Sequence, residues 1–287
     1  MLLGPSWFKF TAKIVANSET LGVLPNAPLA YVVAQIVIDQ IMDMDKRVGD
    51  VQAALRDRYP RFDALQGLSI LVGPSGQPQP QMMTAASRWQ FADDAKRHGV
   101  VLQQNSIGLH ATDYSTHDEF SGRLEVILKA MESIIPSMFI KRLGLRYIDV
   151  IVPRPGENLN NYVREGIRCD PGKIPYMKSY LGLTTIDCEM EAGHLLIKYY
   201  IARGAGEETP ILPPDLAPLF LLEKSQLMVQ PRNQPVALLD TDRYIEIEER
   251  FNVDNIIRRF ADLNEDLLNA FKICTSEHGM AIWEGRK

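Results

Sequence analysis

Residues 184–201, which read TTIDCEMEAGHLLIKYYI, contain the clearest fold signal in the chain. Between Ile186 and Met190 apolar and acidic residues alternate, and this pattern places apolar side chains on one face of a β-strand and charges on the other. Ala192-Gly193 then supplies a tight turn, and an apolar run returns from Leu195 to Ile201. The stretch therefore predicts an antiparallel β-hairpin with one buried face.

Further strands are predicted on both sides of this hairpin, wherever β-branched and aromatic residues are dense. The predicted strands cover residues 29–39, 67–73, 88–93, 100–104, 107–112, 143–152 and 236–248. Residues 219–229 are read as another strand, with a helix as the alternative. Residues 1–28 are interpreted as a leader segment that ends in Pro25-Asn26-Ala27-Pro28.

Helices are predicted where apolar residues recur at intervals of three and four. One helix precedes Pro60, a second begins after Thr116 and ends at Pro136, and a final one begins after Asn252. Thr116 and Glu119 have the spacing of a capping box, in which each side chain accepts a hydrogen bond from the other residue's backbone amide. A short helix is also predicted over residues 158–167.

The order of these elements predicts an α+β fold in which antiparallel sheets are packed by long helices. Residues 29–140 and 141–287 show similar element order, which indicates a tandem duplication of a β-α-β(4)-α unit. One merged domain is the alternative to two units. Similar order occurs in TATA-binding-protein-like and helix-grip folds, but a likeness of fold predicts no function.

Composition and charge make several classes of protein unexpected, namely nucleic-acid-binding, membrane-spanning, secreted and disulfide-rich proteins. The 287 residues carry a net charge of −5, so nucleic acid is not the expected partner. No apolar run reaches the roughly 18 residues that a membrane span needs, and the first residues do not form a signal peptide. We expect a cytoplasmic protein. Three widely spaced cysteines offer neither a disulfide framework nor a metal motif.

The sequence contains no recognised motif for a cofactor or a metal. Neither G-x-x-x-x-G-K-[ST] nor H-E-x-x-H occurs, so we expect no cofactor and assign no metal ligands. Asp240 and Asp242, two residues apart on a predicted strand, point to the same face and are weak catalytic candidates. His110 is a third weak candidate, and Asp113 is its conceivable acid–base partner. His98 and His194 adjoin turn glycines and are expected to be exposed.

Arg146 interrupts an otherwise apolar predicted strand, so its guanidinium is expected to be partly buried and to need a carboxylate. We predict that it pairs with Asp240 or Asp242. Arg146, Tyr147 and Tyr244 are the candidate binding residues, because arginine and tyrosine are enriched in protein interfaces.

Three short motifs resemble a sporadically distributed bacterial family of conserved hypothetical proteins. They are Asn26-Ala27-Pro28-Leu29, Leu145-Arg146-Tyr147-Ile148 and Leu239-Asp240-Thr241-Asp242, and the resemblance extends from about residue 22 to about residue 283. The family usually has a histidine where this chain has Asn264. No activity is established for the family, and its patchy distribution implies an accessory role, in a mobile-element or defence context.

Three functional hypotheses follow. The preferred one is a non-enzymatic accessory protein that binds a protein partner. The second is a metal-dependent hydrolase that uses Asp240 and Asp242, with His110. The third is a small-molecule binder with an apolar pocket between the sheet and a long helix.

Overall fold

A computed structural model describes residues 24–66, 71–72, 78–79, 87–169, 180–203 and 235–286 of the chain. Its strands are β1 (Leu29–Ile38), β2 (Arg61–Gln66), β3 (Leu71–Val72), β4 (Pro78–Gln79), β5 (Ser87–Ala92), β6 (His98–Gln103), β7 (Ser106–Ala111), β8 (Phe139–Ile151), β9 (Tyr180–Glu189), β10 (His194–Arg203) and β11 (Val236–Arg250). Its helices are α1 (Met44–Leu55), α2 (His117–Ile134), α3 (Val253–Cys274) and α4 (Glu277–Trp283).

One nine-stranded antiparallel sheet organises these elements, in the order β2-β5-β6-β7-β1-β8-β11-β10-β9. At its centre β1 pairs with β8, so that Ala34 lies opposite Leu145. On the far side of β8 lies β11, with Tyr147 opposite Thr241. Strands β3 and β4 pair with each other in a separate two-stranded piece. The α+β class and the antiparallel pairing predicted from the sequence are therefore confirmed.

Helices α1, α2 and α3 cover one face of the sheet. Every second residue of the central strands points into the core beneath them, as the two-residue period of a strand requires. Members of this core include Ile36, Leu128, Leu145, Leu239 and Phe260. No described helix packs on the opposite face, which we call the helix-free face. None of the helices among the described residues combines the length and the apolar composition needed to cross a bilayer.

The two halves of the sheet have matching strand order when followed outward from the β1–β8 contact. One half runs β1-β7-β6-β5 and the other runs β8-β11-β10-β9, and a long helix follows the strand next to the centre in each. The predicted boundary at residue 141 lies inside β8, and both predicted units contribute strands to the same sheet. A matching order is not a residue-level repeat, so the tandem duplication stays a prediction.

The helix caps follow the sequence closely. The Thr116 side chain accepts from the backbone N–H of Glu119, and the Asn252 side chain accepts from that of Asn255. Only half of the predicted capping box forms, because the Glu119 carboxylate accepts from Arg123 one turn further along α2. That (i, i+4) ion pair competes for the same oxygen atoms.

Two predictions for helices are corrected. Residues 158–167 form two single 3-10 turns, Leu159–Asn161 and Glu165–Ile167, because Val163 between them makes a β-bridge to Thr275. The helix after Asn252 is not the final one, since Ser276 caps the short α4. The sequence prediction also omitted β2. The predicted strand at 219–229 and residues 1–23 of the predicted leader lie outside the described residues.

The predicted hairpin is confirmed as β9 and β10, joined at Gly193. This residue has a φ of +76°, a left-handed conformation that favours glycine. The backbone N–H of Met190 donates to the Gly193 carbonyl over 2.9 Å and closes the turn. A Cβ atom at Gly193 would lie 2.1 Å from the carbonyl oxygen of Tyr244. The turn therefore requires glycine for both its conformation and its contact with β11.

Replacing Gly193 with Ala is expected to lower the free energy of unfolding by roughly 1–3 kcal/mol, because the left-handed backbone is strained for alanine and the Cβ contact forces a shift. Urea unfolding followed by circular dichroism measures it. Gly49→Ala is the matched control, since Gly49 lies exposed in α1 with nothing within 4 Å of the new Cβ. That variant should gain about 0.5–1 kcal/mol. Equal stability of the Gly193→Ala variant and the wild type would contradict the expectation.

Candidate functional site

A cleft of about 210 Å³ lies on the helix-free face, over the middle of the sheet. Strands β1, β5, β6, β7, β8 and β11 all contribute side chains to it. Gly108 and Gly144 lie along its floor, and their missing side chains give the cleft its depth. The polar side chains that line it are Gln35, Arg88, Gln103, Ser106, His110, Arg142, Arg146 and Asp242.

Beside the cleft, the same face carries a small apolar cluster. Its buried members are Ala30, Tyr31, Ala92, Ile148, Val236 and Leu238, with Val33 and Tyr200 packed against them. The helix-free face is thus divided along the strands into an apolar end and a polar end. Tyr31 and His110 meet at the boundary.

Arg146 and Asp240 form a buried ion pair beside the cleft. Nε and Nη2 of Arg146 donate to Oδ1 and Oδ2 of Asp240, each over 2.7 Å. Arg146 is 9% exposed and Asp240 is 1% exposed. The pairing predicted from the sequence is confirmed, and the partner is Asp240 although Asp242 lies directly opposite Arg146 in the register. Both oxygens of Asp240 accept from one guanidinium, which holds that carboxylate in a structural contact.

Arg142 lies over the ring of Tyr244, with its guanidinium carbon 4.1 Å from the ring centroid. Its Nη1 donates to Oε1 of Gln35 over 3.2 Å, and its Nη2 lies 3.8 Å from Oδ2 of Asp242. Burial raises the pKa of Asp242, and the nearby charges of Arg142 and Arg146 act in the opposite direction. Tyr244 and Gln35 thus hold the Arg142 guanidinium in a fixed orientation at the edge of the cleft.

Arg88 lines the cleft from β5 and is half-buried. Its side chain forms no hydrogen bond or ion pair with another residue in the part of the chain that the structure describes. The buried pair of Arg146 and Asp240 is neutral as a whole, and the other charged side chains that line the cleft are those of Arg88, Arg142 and Asp242. The described residues of the cleft therefore carry an excess of one positive charge, in a chain whose net charge is −5.

His110 is neutral in this fold. Its Nδ1 forms a hydrogen bond of 2.9 Å with the hydroxyl of Tyr31. The whole residue is 1% exposed. Burial, and secondly the charge of His98, lower the pKa of His110 to about 3. Asp113 is not its partner, because Asp113 accepts from Nη1 of Arg97 over 2.7 Å. The predicted acid–base pair is therefore wrong.

His98 was expected to be exposed, and the structure corrects this. It is 7% exposed at the start of β6, and its Nδ1 lies 2.9 Å from Oδ2 of Asp93. The turn before β6 folds back and brings the two side chains together. His194 is only half-buried, stacks on Tyr244 and pairs with Asp187.

Tyr147 lies on the opposite side of the sheet from the cleft. Its hydroxyl donates to Oδ1 of Asn264 on α3 over 2.6 Å and lies 3.1 Å from the hydroxyl of Tyr114. Burial raises the pKa of Tyr147 well above its ordinary value. Asn264, at the position where the resembled family usually has histidine, is therefore a partner of Tyr147 in the layer between sheet and helices. The structure brings Arg146, Asp240, Asp242, His110 and Tyr244 together on the helix-free face, and Tyr147 is separate from them.

Sequence reasoning did not nominate Arg88, Arg142 or Gln35 as members of one site. Their convergence depends on the register of β1, β5 and β8, which no local pattern specifies. One signal was present, since Gln35 interrupts the apolar run of β1 just as Arg146 interrupts β8. Among the described residues no group of three or more His, Cys, Asp or Glu side chains is placed to hold a metal ion.

The three motifs of the family resemblance lie next to one another in space. Asn26 to Leu29 leads into β1, Leu145 to Ile148 lies in β8, and Leu239 to Asp242 lies in β11. These are the three neighbouring central strands of the sheet. Comparison with known proteins assigns no family, because neither a protein-family model nor a curated protein matches the chain.

Proposed function

We propose that this chain is a non-enzymatic binding protein that recognises a protein partner through the helix-free face of its sheet. The observation that carries the proposal is the cleft, where Arg142 is held on Tyr244 and Arg88 has no described partner. Arginine and tyrosine side chains contribute most of the binding energy in many interfaces. Because Arg142 is already oriented, little side-chain entropy is lost when a partner binds. An accessory role, in a mobile-element or defence context, rests on the family resemblance alone.

A hydrolase that uses Asp240, Asp242 and His110 has less support. Arg146 engages both oxygens of the Asp240 carboxylate, and burial lowers the pKa of His110 to about 3, far below neutral pH. A general base needs a free acceptor and a pKa near the working pH.

A small-molecule pocket between the sheet and a long helix also has less support. The cleft is smaller than the roughly 300–1,000 Å³ typical of such pockets, and it lies on the face away from the helices.

Replacing Tyr244 with Ala is expected to reduce recovery of the partner at least tenfold, because it removes the ring that orients Arg142. The measurement is a quantitative pull-down of tagged protein from its native host, with the wild type in parallel. Arg258→Ala is the matched control, since Arg258 is exposed on α3 in the helix layer. Thermal unfolding of each variant verifies that it is folded.

The proposal is supported if a stoichiometric protein is recovered with the wild type and the Arg258→Ala variant and is lost with the Tyr244→Ala variant. Equal recovery with all three proteins would place the interface elsewhere and contradict the proposed surface. Failure to recover a stoichiometric protein with the wild type would contradict the proposed function itself.

A further inference from the structure

Several hydrogen-bond donors that line the cleft have no acceptor among the described residues. Oε1 of Gln103 accepts from Oγ of Ser106 over 2.9 Å, and Oε1 of Gln35 accepts from Arg142. Each glutamine therefore uses its carbonyl oxygen within the fold. Each retains an amide NH₂ group that donates to no other described residue. With the guanidinium of Arg88, these amides give the cleft a surplus of N–H donors.

A surplus of donors around one excess positive charge selects a ligand that only accepts hydrogen bonds. An ionised carboxylate is such a group, and its two oxygens match the planar fork of an arginine side chain. A neutral amide or hydroxyl ligand would bring hydrogens of its own toward these N–H groups.

The size of the cleft limits how much of a ligand it can hold. At about 210 Å³ it is below the range that encloses a drug-sized molecule. A single side chain is the natural occupant, and the remainder of the ligand would then lie outside, along the helix-free face.

From these observations we infer that the cleft binds the carboxylate of an aspartate or glutamate side chain on a segment of the protein partner. Arg88 is the principal cationic contact, and Arg142, Gln35 and Gln103 are further donors. The source of the segment rests on the proposed function, whereas the preference for a carboxylate rests on the cleft alone.

Asp242 distinguishes a carboxylate from a phosphate group. Its carboxylate lines the cleft and lies 3.8 Å from Arg142, so it offsets part of the positive charge there. A phosphate dianion would add a second negative charge facing Asp242, and a like charge at short range is unfavourable.

The inference is tested by arginine Nε–Hε nuclear magnetic resonance on the full chain. The probe is the blocked peptide acetyl-Gly-Glu-Gly-amide, and the same peptide with Gln in place of Glu is its neutral match. Saturable shifts of the Arg88 and Arg142 signals are expected with the Glu peptide and not with the Gln peptide. The signal of exposed Arg258 should not shift.

Two variants sharpen this test. Arg88→Gln should reduce the affinity for the Glu peptide by roughly tenfold or more, since a hydrogen bond to a charged group is lost. The fold should be unaffected, because Arg88 has no described polar partner. Asp242→Asn should raise the affinity for the same peptide several-fold, because the substitution removes the opposing charge. A loss of folding cannot imitate that gain.

Equal shifts with the Gln peptide, or an absence of saturable shifts with the Glu peptide, would overturn the inference. Tighter binding of inorganic phosphate than of the Glu peptide at the same signals would also overturn it, in favour of a phosphate site. These results are separate from the pull-down. Peptide binding without a captured partner would refute the proposed function and leave the carboxylate site in place, and the reverse would refute only the carboxylate site.

Discussion

Replacing Arg146 with Met is expected to lower the free energy of unfolding by about 3–5 kcal/mol, because the substitution leaves the Asp240 carboxylate buried without its partner. The pair is almost fully shielded, since the side chains of Arg146 and Asp240 are 11% and 1% exposed. Chemical denaturation of the purified variant measures the loss. Removing both charges in the Arg146→Met, Asp240→Leu double variant should restore most of the stability, as replacement of whole buried pairs often does.

The surface pair of Arg97 and Asp113 provides the control. Its nitrogen and oxygen atoms are also 2.7 Å apart, but the two side chains are 58% and 53% exposed. Arg97→Met should therefore cost less than about 1 kcal/mol. If the Arg146→Met and Arg97→Met variants lost equal stability, burial of the ion pair would not explain the loss. An unchanged Arg146→Met variant would mean that the ion pair contributes nothing to the fold.

Replacing Asp149 with Asn is expected to stabilise the protein at pH 8 and to flatten the dependence of its stability on pH. Asp149 is 4% exposed in the middle of the sheet. Burial, and secondly the charge of Asp240, raise the pKa of Asp149 from 3.8 to about 8. The folded protein therefore keeps a proton on this carboxyl at pH values where the unfolded chain has lost it.

The sign of the pH dependence follows from that difference in bound protons. Between about pH 4 and pH 8 the folded state binds more protons than the unfolded state, so the Asp149 contribution falls as the pH rises. At about 1.36 kcal/mol per pKa unit, the loss is on the order of 5 kcal/mol by pH 8. Asparagine cannot ionise, so the variant avoids this loss.

Urea unfolding of the wild type and the Asp149→Asn variant at pH 5 and pH 8 measures the effect. The stability difference between them should grow in favour of the variant as the pH rises. Asp113→Asn, at an exposed position, should show little change between the two pH values. Parallel pH profiles for the wild type and the Asp149→Asn variant would refute the raised pKa of Asp149.

The sequence predicted the parts of the fold that depend on local periodicity and capping. The hairpin at Gly193, the central strand around Arg146 and the cap at Asn252 were all identified, since each has a pattern confined to a few residues. Strand β2 was omitted because RFDALQ carries charged residues at alternate positions and lies at the sheet edge, where residues 61–64 are exposed. An edge strand needs no apolar run.

The candidate site could be predicted only in part, because it is built from six strands. The pairing of Arg146 with an aspartate followed from the cost of burying a lone charge, and this physical rule applies without knowing the register. The approach of Arg88 and Arg142 to the same cleft could be predicted only from the order of strands in the sheet. Many residues that are neighbours in this sheet are far apart along the chain. The burial of His98 was missed for a local reason, because the turn before β6 folds back and places Asp93 against the imidazole ring.

The pairing of β1 with β8 also has a consequence for the synthesis of the protein. Strand β1 is translated before both of its neighbours, and it pairs on one edge with β7 (Ser106–Ala111) and on the other with β8 (Phe139–Ile151), which emerges last. A ribosome adds about 5–20 residues per second, so a nascent chain presents the Val- and Ile-rich edge of β1 unpaired for several seconds. Exposed apolar edges recruit other chains. Correct biogenesis of this sheet therefore depends on protecting one strand until its neighbour emerges, a task suited to ribosome-associated chaperones.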